Sequence, residues 1–244
     1  MVFFEEEVKR LDNIDDVINF KVDGILLSSI MLQDPIYEVI KKSNIPYMFF
    51  NRRPENGNNY VELDNERAGE LITQYMIDLG HERIGYISGF FETISTFYDR
   101  KLGFEKTLRK NGMQINNKFV HFIDTSSSET ARVTKEMMES DVKPTCIICV
   151  TDAIALDCLN TLKSLGYKVP DDVSVTGIDN LKISAHEAIS LTTVDYDKKE
   201  MARISVDNLI DMINSCGETI TESRRFVLQP KLVIRNTTKS YKQK

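Results

Sequence analysis

Few residues in this chain are of types and spacings that could do covalent chemistry. The three histidines, His81, His121 and His186, lie far apart, and none has a second ligand at metal-binding spacing. Cys146-Ile-Ile-Cys149 has the form C-x-x-C, but it lies in an unbroken apolar run. In a strand, residues three apart point to opposite faces, so the pair reads as two core cysteines. Cys158 and Cys216 add no disulfide pattern, which suits a reducing cytoplasm. No G-x-G-x-x-G and no Walker A loop occurs, so phosphate cradling lacks its usual glycines. There is no H-E-x-x-H, and no G-x-S-x-G surrounds Ser88. Gly85 and Gly89 read as close packing and a turn, and His81, just after the helix stop Gly80, as a capping or buried hydrogen-bonding residue. Asp15-Asp16 and Asp171-Asp172 read as helix and turn charges. With no nucleophile–base pair and no metal set, these residues predict a binding protein that needs no cofactor, not an enzyme.

The elements that would position a binding site are legible. Strands are expected at 1–4, 22–27, 45–50, 60–63, 83–88, 119–123, 145–150, 173–178, 225–228 and 231–235. Helices are expected at 12–20, 35–42, 66–79, 98–111, 128–139, 153–165 and 197–215. Helix 66–79 sets Ala68, Leu71, Ile72, Tyr75, Met76 and Leu79 on one stripe, with Asp64-Asn65 as its cap and Gly80 as its stop. Thr151-Asp152 is expected to cap helix 153–165. Strand and helix alternate, and the strands are continuous apolar runs. Both features predict an α/β fold of doubly wound parallel sheets covered by helices on both faces.

In such sheets ligands sit outside the carboxyl ends of the strands. The strand exits here are polar: Ser28-Ser29, Asn51-Arg52, Asp64, Ser88-Gly89, Thr125, Thr151-Asp152 and Asp179-Asn180. Singly, each is explained as a turn former or cap. As a set they predict a ligand-facing edge.

The 244 residues suffice for two lobes, and composition is ordinary for a globular chain, 41% hydrophobic and 28% charged. A net charge of −6 is a poor match to nucleic acid, and no basic block or zinc-finger spacing offsets it. No apolar run reaches the ~18–20 residues that span a bilayer. The start, MVFFEEEVKR, does not read as a signal peptide.

Several stretches together resemble one family. They are VDGILLSS at 22–29, IPYMFFNR at 45–52, VELDNERAGELITQYMIDLGHERIGYISG at 61–89 and RKLGF at 100–104, followed by KPTCIICVTDAIALDCLNTLKSLGYKVPDDVSVTGIDN at 143–180, LTTV at 191–194 and LQPKLVIRNTT at 228–238. In order and spacing they resemble the effector-binding core of the LacI/GalR transcription regulators. The resemblance implies a periplasmic-binding-protein-like fold of type I: two α/β lobes with a ligand cleft between them and three chain crossovers. The lobes would be 1–64 plus 196–229 and 65–195 plus 230–244. It implies effector contacts at Arg100 and Asp179, and pocket positions at Asn51, Asp64, Thr151 and Tyr196, with Thr125 on a loop that aligns less well. Phe90, Phe91 and Phe97 are placed to stack on a sugar face, and Asp152 is assigned to capping.

The implied function is sensing a sugar or related metabolite in a cytoplasmic homodimer, with lobe closure altering DNA binding by a separate helix-turn-helix domain. The match starts at the family's second strand, MVFF. The headpiece and the first strand and helix of the first lobe are therefore expected to be missing, and the chain is not expected to bind operator DNA by itself. The edge beside 22–27 is expected to be the weakest part of that lobe. A stand-alone transport protein shares this fold but would need a secretory signal. A Rossmann-type enzyme would need the glycine fingerprint that is absent here.

Overall fold

The structure is a computed structural model of the chain. It describes residues 22–28, 31, 33, 35–90, 92, 94–215 and 223–241. The expected elements at 1–4 and 12–20, together with Ser29, Phe91 and Cys216, lie outside the described residues. The elements in chain order are β1 Ile25–Leu27, α1 Pro35–Ser43, β2 Tyr47–Phe50, β3 Tyr60–Leu63, α2 Asn65–Asp78, β4 Ile84–Gly89, α3 Ser95–Lys110 and β5 Val120–Ile123. They continue with α4 Ser127–Glu139, β6 Cys146–Cys149, α5 Asp152–Ser164, β7 Ser174–Thr176, β8 Thr193–Asp195, α6 Lys198–Asn214, β9 Arg225–Leu228 and β10 Lys231–Val233.

The chain divides into two compact units. One holds the described residues of Met1–Glu62, Thr93–Ser95 and Asp197–Leu228, and the other those of Leu63–Glu92, Thr96–Tyr196 and Gln229–Lys244. The first contains a sheet of order β1-β2-β3-β9. β1 and β3 flank β2 in parallel, with Ile25 opposite Tyr47 and Phe49 opposite Tyr60. Aromatic side chains suit this pleated, half-buried surface. Phe49 is fully buried against Tyr37, with ring centroids 5.5 Å apart, and Leu27, Tyr47 and Tyr60 close around them.

The second unit carries the sheet β5-β4-β6-β7, parallel throughout. Every residue of β4, β6 and β7 is buried, Ser88, Ser174 and Thr176 included, as strands covered on both faces require. Cys146, Cys149 and Cys158 are buried free thiols, and burial holds the Cys146 thiol far above its usual range, so it is inert. α2 and α3 cross closely. A methyl group on Gly69 would lie 2.2 Å from the Arg100 carbonyl oxygen, and one on Gly103 would lie 2.1 Å from that of Glu66.

The α/β reading holds, with one correction. Beside the parallel sheet, β8 and β10 form an antiparallel ribbon, with Leu232 opposite Val194. Apolar runs identify strands but carry no direction; here direction follows from the chain re-entering this unit near Gln229. β8 continues the sheet beyond β7 through Gly177 N–H to Thr192 O (3.1 Å) and Asp179 N–H to Val194 O (2.9 Å).

Candidate functional site

Because β4, β5, β6 and β7 are parallel, their carboxyl ends fall on one edge. Gly89 is opposite Ile123, Ile87 opposite Cys149 and Ile148 opposite Thr176. The residues that follow these ends are Thr125, Val150-Thr151 and Gly177–Asp179, and Arg100 reaches the same edge from the second turn of α3.

Arg100 is 2% exposed, and its guanidinium is fixed from three sides. Nε donates to Asn65 Oδ1 (2.9 Å), one terminal nitrogen to Val150 O (2.6 Å) and the other to Asp179 Oδ1 (3.1 Å). A guanidinium has five N–H groups, so two stay unbonded among the described residues. The ion pair places a fixed planar fork beside a carboxylate acceptor. That combination suits a ligand offering both lone pairs and hydroxyl or N–H donors. Tyr196 faces the same pair. Burial first, and then the charge of Asp179, push its phenol up to about 12, so it stays a neutral donor and acceptor.

The backbone here is unusual. Asp179 has φ 121° and the next residue, Asn180, φ 45°. L residues rarely adopt such values, and they persist where surrounding bonds over-determine the chain. Thr125, with φ 65°, is a β-branched residue in the left-handed region and is exposed. No contact of Thr125 with Arg100 or Asp179 occurs among the described hydrogen bonds.

Thr151 caps α5, its hydroxyl accepting from Ile154 N–H (3.3 Å). Asp152 does not cap this helix, contrary to expectation. It is the first helical residue, fully buried, and its carboxylate turns inward to other partners. The cap belongs to Thr151 because that residue has the extended conformation a cap needs, φ −138° and ψ 160°. Asp64 caps α2 through Arg67 N–H (2.9 Å), and its neighbour Asn65 holds Arg100. Asn65 and the Val150 carbonyl were absent from the expected site residues. Asn65 lies among other polar residues, Asp64, Glu66 and Arg67, so nothing in the sequence singled it out, and a backbone carbonyl carries no signal at all.

Asn51 belongs to the other unit. It follows β2 directly, with φ 62°, and its side-chain oxygen is buried with no hydrogen-bond partner among the described residues. Next to it, Arg53 pairs with the buried Glu62 at 2.8 Å and lies over the Tyr60 ring. Of the expected stacking aromatics, Phe90 is 51% exposed, but Phe97 is 6% exposed and packs into the core. Phe97 falls on the inner face because α3 starts at Ser95, earlier than the expected 98.

His81 is buried as expected. Nδ1 faces Thr145 Oγ1 (2.9 Å) and Nε2 the Lys239 carbonyl (3.1 Å). A carbonyl only accepts, so Nε2 carries the hydrogen and Nδ1 accepts from the hydroxyl. Among the described residues no group of three or more His, Cys, Asp or Glu is placed to hold a metal ion. No helix among them is long and apolar enough to cross a membrane.

A family model described as a periplasmic binding protein-like domain matches residues 73–238. The HTH-type transcriptional repressor PurR of Photobacterium profundum is 30% identical over 234 residues, covering 95% of this chain and 69% of that protein. The HTH-type transcriptional regulator CelR of Thermobifida fusca is 30% identical over 219 residues, covering 88% of this chain and 63% of that protein. A solved complex of the transcriptional regulator CelR with cellobiose matches with a TM-score of 0.84 at 26% identity, covering 93% of this chain and 69% of that one. These relatives are named as transcriptional regulators, not as enzymes.

Proposed function

We propose, for a chain that belongs to the periplasmic binding protein-like family and forms the effector-sensing core of a LacI-type transcriptional regulator, that its effector is a sugar or related small metabolite contacted by Arg100, Asp179 and Tyr196. The observation that carries this reading is the buried Arg100 fork, fixed by Asn65, Val150 and Asp179 with two N–H groups unspent among the described residues. Such a group is oriented before the ligand arrives, so little ordering cost is left for binding. The carboxylate accepts from ligand hydroxyls, and the guanidinium donates to their oxygens. The cellobiose held by the related CelR is a ligand of this kind.

Asp64, Thr151 and Thr125 complete the set of proposed ligand contacts in the unit that carries Arg100, and Asn51 is proposed separately as a ligand contact of its own unit. The orphaned Asn51 oxygen supports its inclusion, because a buried acceptor without a donor costs about 1–3 kcal/mol and a ligand N–H or O–H would recover it. Effector binding shifts the population of conformers and thereby the geometry offered to a separate helix-turn-helix domain. We read the chain as a homodimer of the cytoplasm that binds without catalysis.

A thermal-shift screen of sugars, sugar phosphates and purines tests the reading. A ligand at 100 times its Kd adds ~2.7 kcal/mol to stability, a readily measured rise in Tm. An Arg100→Ala variant that bound a hit as tightly as the parent would overturn the site assignment.

A further inference from the structure

Asp152 is the fully buried carboxylate whose expected role as a cap the structure denies. It accepts from Leu181 N–H (2.8 Å), from the Ser184 hydroxyl (2.6 Å) and from the Thr193 hydroxyl (2.5 Å). All three donors are neutral. Its own N–H donates to Ile178 O (2.7 Å). Through its backbone and its side chain, one residue is therefore bonded to both residues that bracket Asp179 and Asn180. Those two residues hold the positive φ values of 121° and 45°. On the far side of this turn, Asp179 N–H meets Val194 O and Asn180 N–H meets Thr193 Oγ1, the same hydroxyl that donates to Asp152. The packing leaves Asp152 no slack. A methyl group on Gly177 would lie 2.3 Å from its Oδ1. Two residues before Asp152, the Val150 carbonyl holds the Arg100 fork.

We propose that Asp152 is a positioning residue of the effector site. It clamps the 178–181 turn so that Asp179 stays in its disfavoured backbone conformation with its carboxylate on Arg100. Left to itself, the turn relaxes towards ordinary φ values, and the carboxylate swings off the guanidinium. The role needs hydrogen-bond acceptance rather than charge. In Asp152→Asn, the amide oxygen placed at Oδ2 still accepts from Leu181 and Ser184, and the amide nitrogen at Oδ1 donates to the Thr193 hydroxyl, which rotates to accept. That variant retains the clamp, whereas Asp152→Ala removes it.

This inference rests on the reading of Asp179 as an effector contact, but its test needs no ligand. The two readouts are amide hydrogen exchange at Asp179 and Asn180 and the NMR resonance of the buried Arg100 Nε–H. Neither amide donates to Asp152, so a merely local loss at Leu181 would leave both readouts unmoved. In Asp152→Ala we expect exchange at Asp179 to rise about tenfold or more, the size of one lost buried hydrogen bond. The Arg100 signal should shift or broaden. Asp152→Asn should restore both, and Val133→Ala, a cavity in α4 at a residue that makes none of the turn's hydrogen bonds, should lower Tm without moving either. Should Asp152→Ala fail to fold, Ser184→Ala removes one donor from the carboxylate and should move the same signals by less. Unchanged Asp179 exchange and Arg100 resonance in the folded variants overturn the proposal. The effector reading fails separately, if Asp179→Asn binds a screening hit as tightly as the parent.

Discussion

At Arg100 the charge of the side chain can be separated from its shape. Lysine keeps the charge but brings a single nitrogen, which cannot meet Asn65, Val150 and Asp179 in one plane. Arg100→Lys is therefore expected to fold and to lose about tenfold or more in affinity for any screening hit, measured by calorimetry. Equal affinity would mean that the fork is structural only. Arg100→Ala is a harsher change, because it leaves the buried partners unpaired at about 3–5 kcal/mol. His81 provides a pH prediction at the same scale. Burial holds its pKa below 6.5, so the folded state prefers the neutral ring. The unfolded chain then binds more protons than the folded one as pH drops below about 6.5, and stability falls in that direction. Between pH 7.5 and 5.5 the Tm of the parent should drop more than that of His81→Gln. The carboxylates with lowered pKa, such as Glu70 and Asp171, act at more acidic pH and do not confuse this window.

Among the elements, the crossing of α2 and α3 matters most to the site. α2 carries Asn65 and α3 carries Arg100, and their separation is set where Gly69 and Gly103 allow backbone to touch backbone. Gly69→Ala would drive a methyl group into the Arg100 carbonyl and push α3 outward. The expected cost is about 1–3 kcal/mol by chemical denaturation, with weakened effector binding because the fork leaves Asn65. A loss of stability with unchanged affinity would show that α3 shifts without moving the guanidinium. The cap at Thr151 is a milder case. Thr151→Ala should cost α5 about 1 kcal/mol, and since Arg100 is held through the neighbouring Val150 carbonyl, the Arg100 Nε–H resonance should stay in place.

For the whole molecule, the prediction concerns assembly. A homodimer requires a solution mass twice the 28.0 kDa of the chain by light scattering, and a monomer at tens of micromolar would remove the dimer from the reading. The division into two units, each assembled from separate stretches of chain, makes every unit depend on contacts far apart in sequence. Tyr241 N–H to Leu79 O and His81 to Lys239 O bind the final described residues to the turn between α2 and β4. Thr237 and Thr238 anchor the same segment to Val175 and Tyr75.

How much of this was legible before any coordinates follows from the range of the forces involved. Strands, helices and caps depend on neighbours within a few residues, so periodicity and Asx or glycine punctuation located β4, β6, α2 and α5. The continuous apolar strands announced a parallel sheet covered on both faces, and that alone aligned the polar exits of β4, β5, β6 and β7 on one edge. The lack of catalytic spacing made a binding edge, not an active site, the expectation for those exits. The resemblance to the regulators selected Arg100 and Asp179. Contacts across tens of residues were not legible. The direction of β10 against β8, the Arg100 bonds to Asn65 and Val150, and the inward turn of Asp152 are set by packing of distant segments, which no local pattern encodes. The stretch VTDA could be read only as a cap and a helix start. The tertiary structure divided it, giving the cap to Thr151 and leaving Asp152 to hold the turn that carries Asp179, because only folding brings Leu181, Ser184 and Thr193 within reach of one carboxylate.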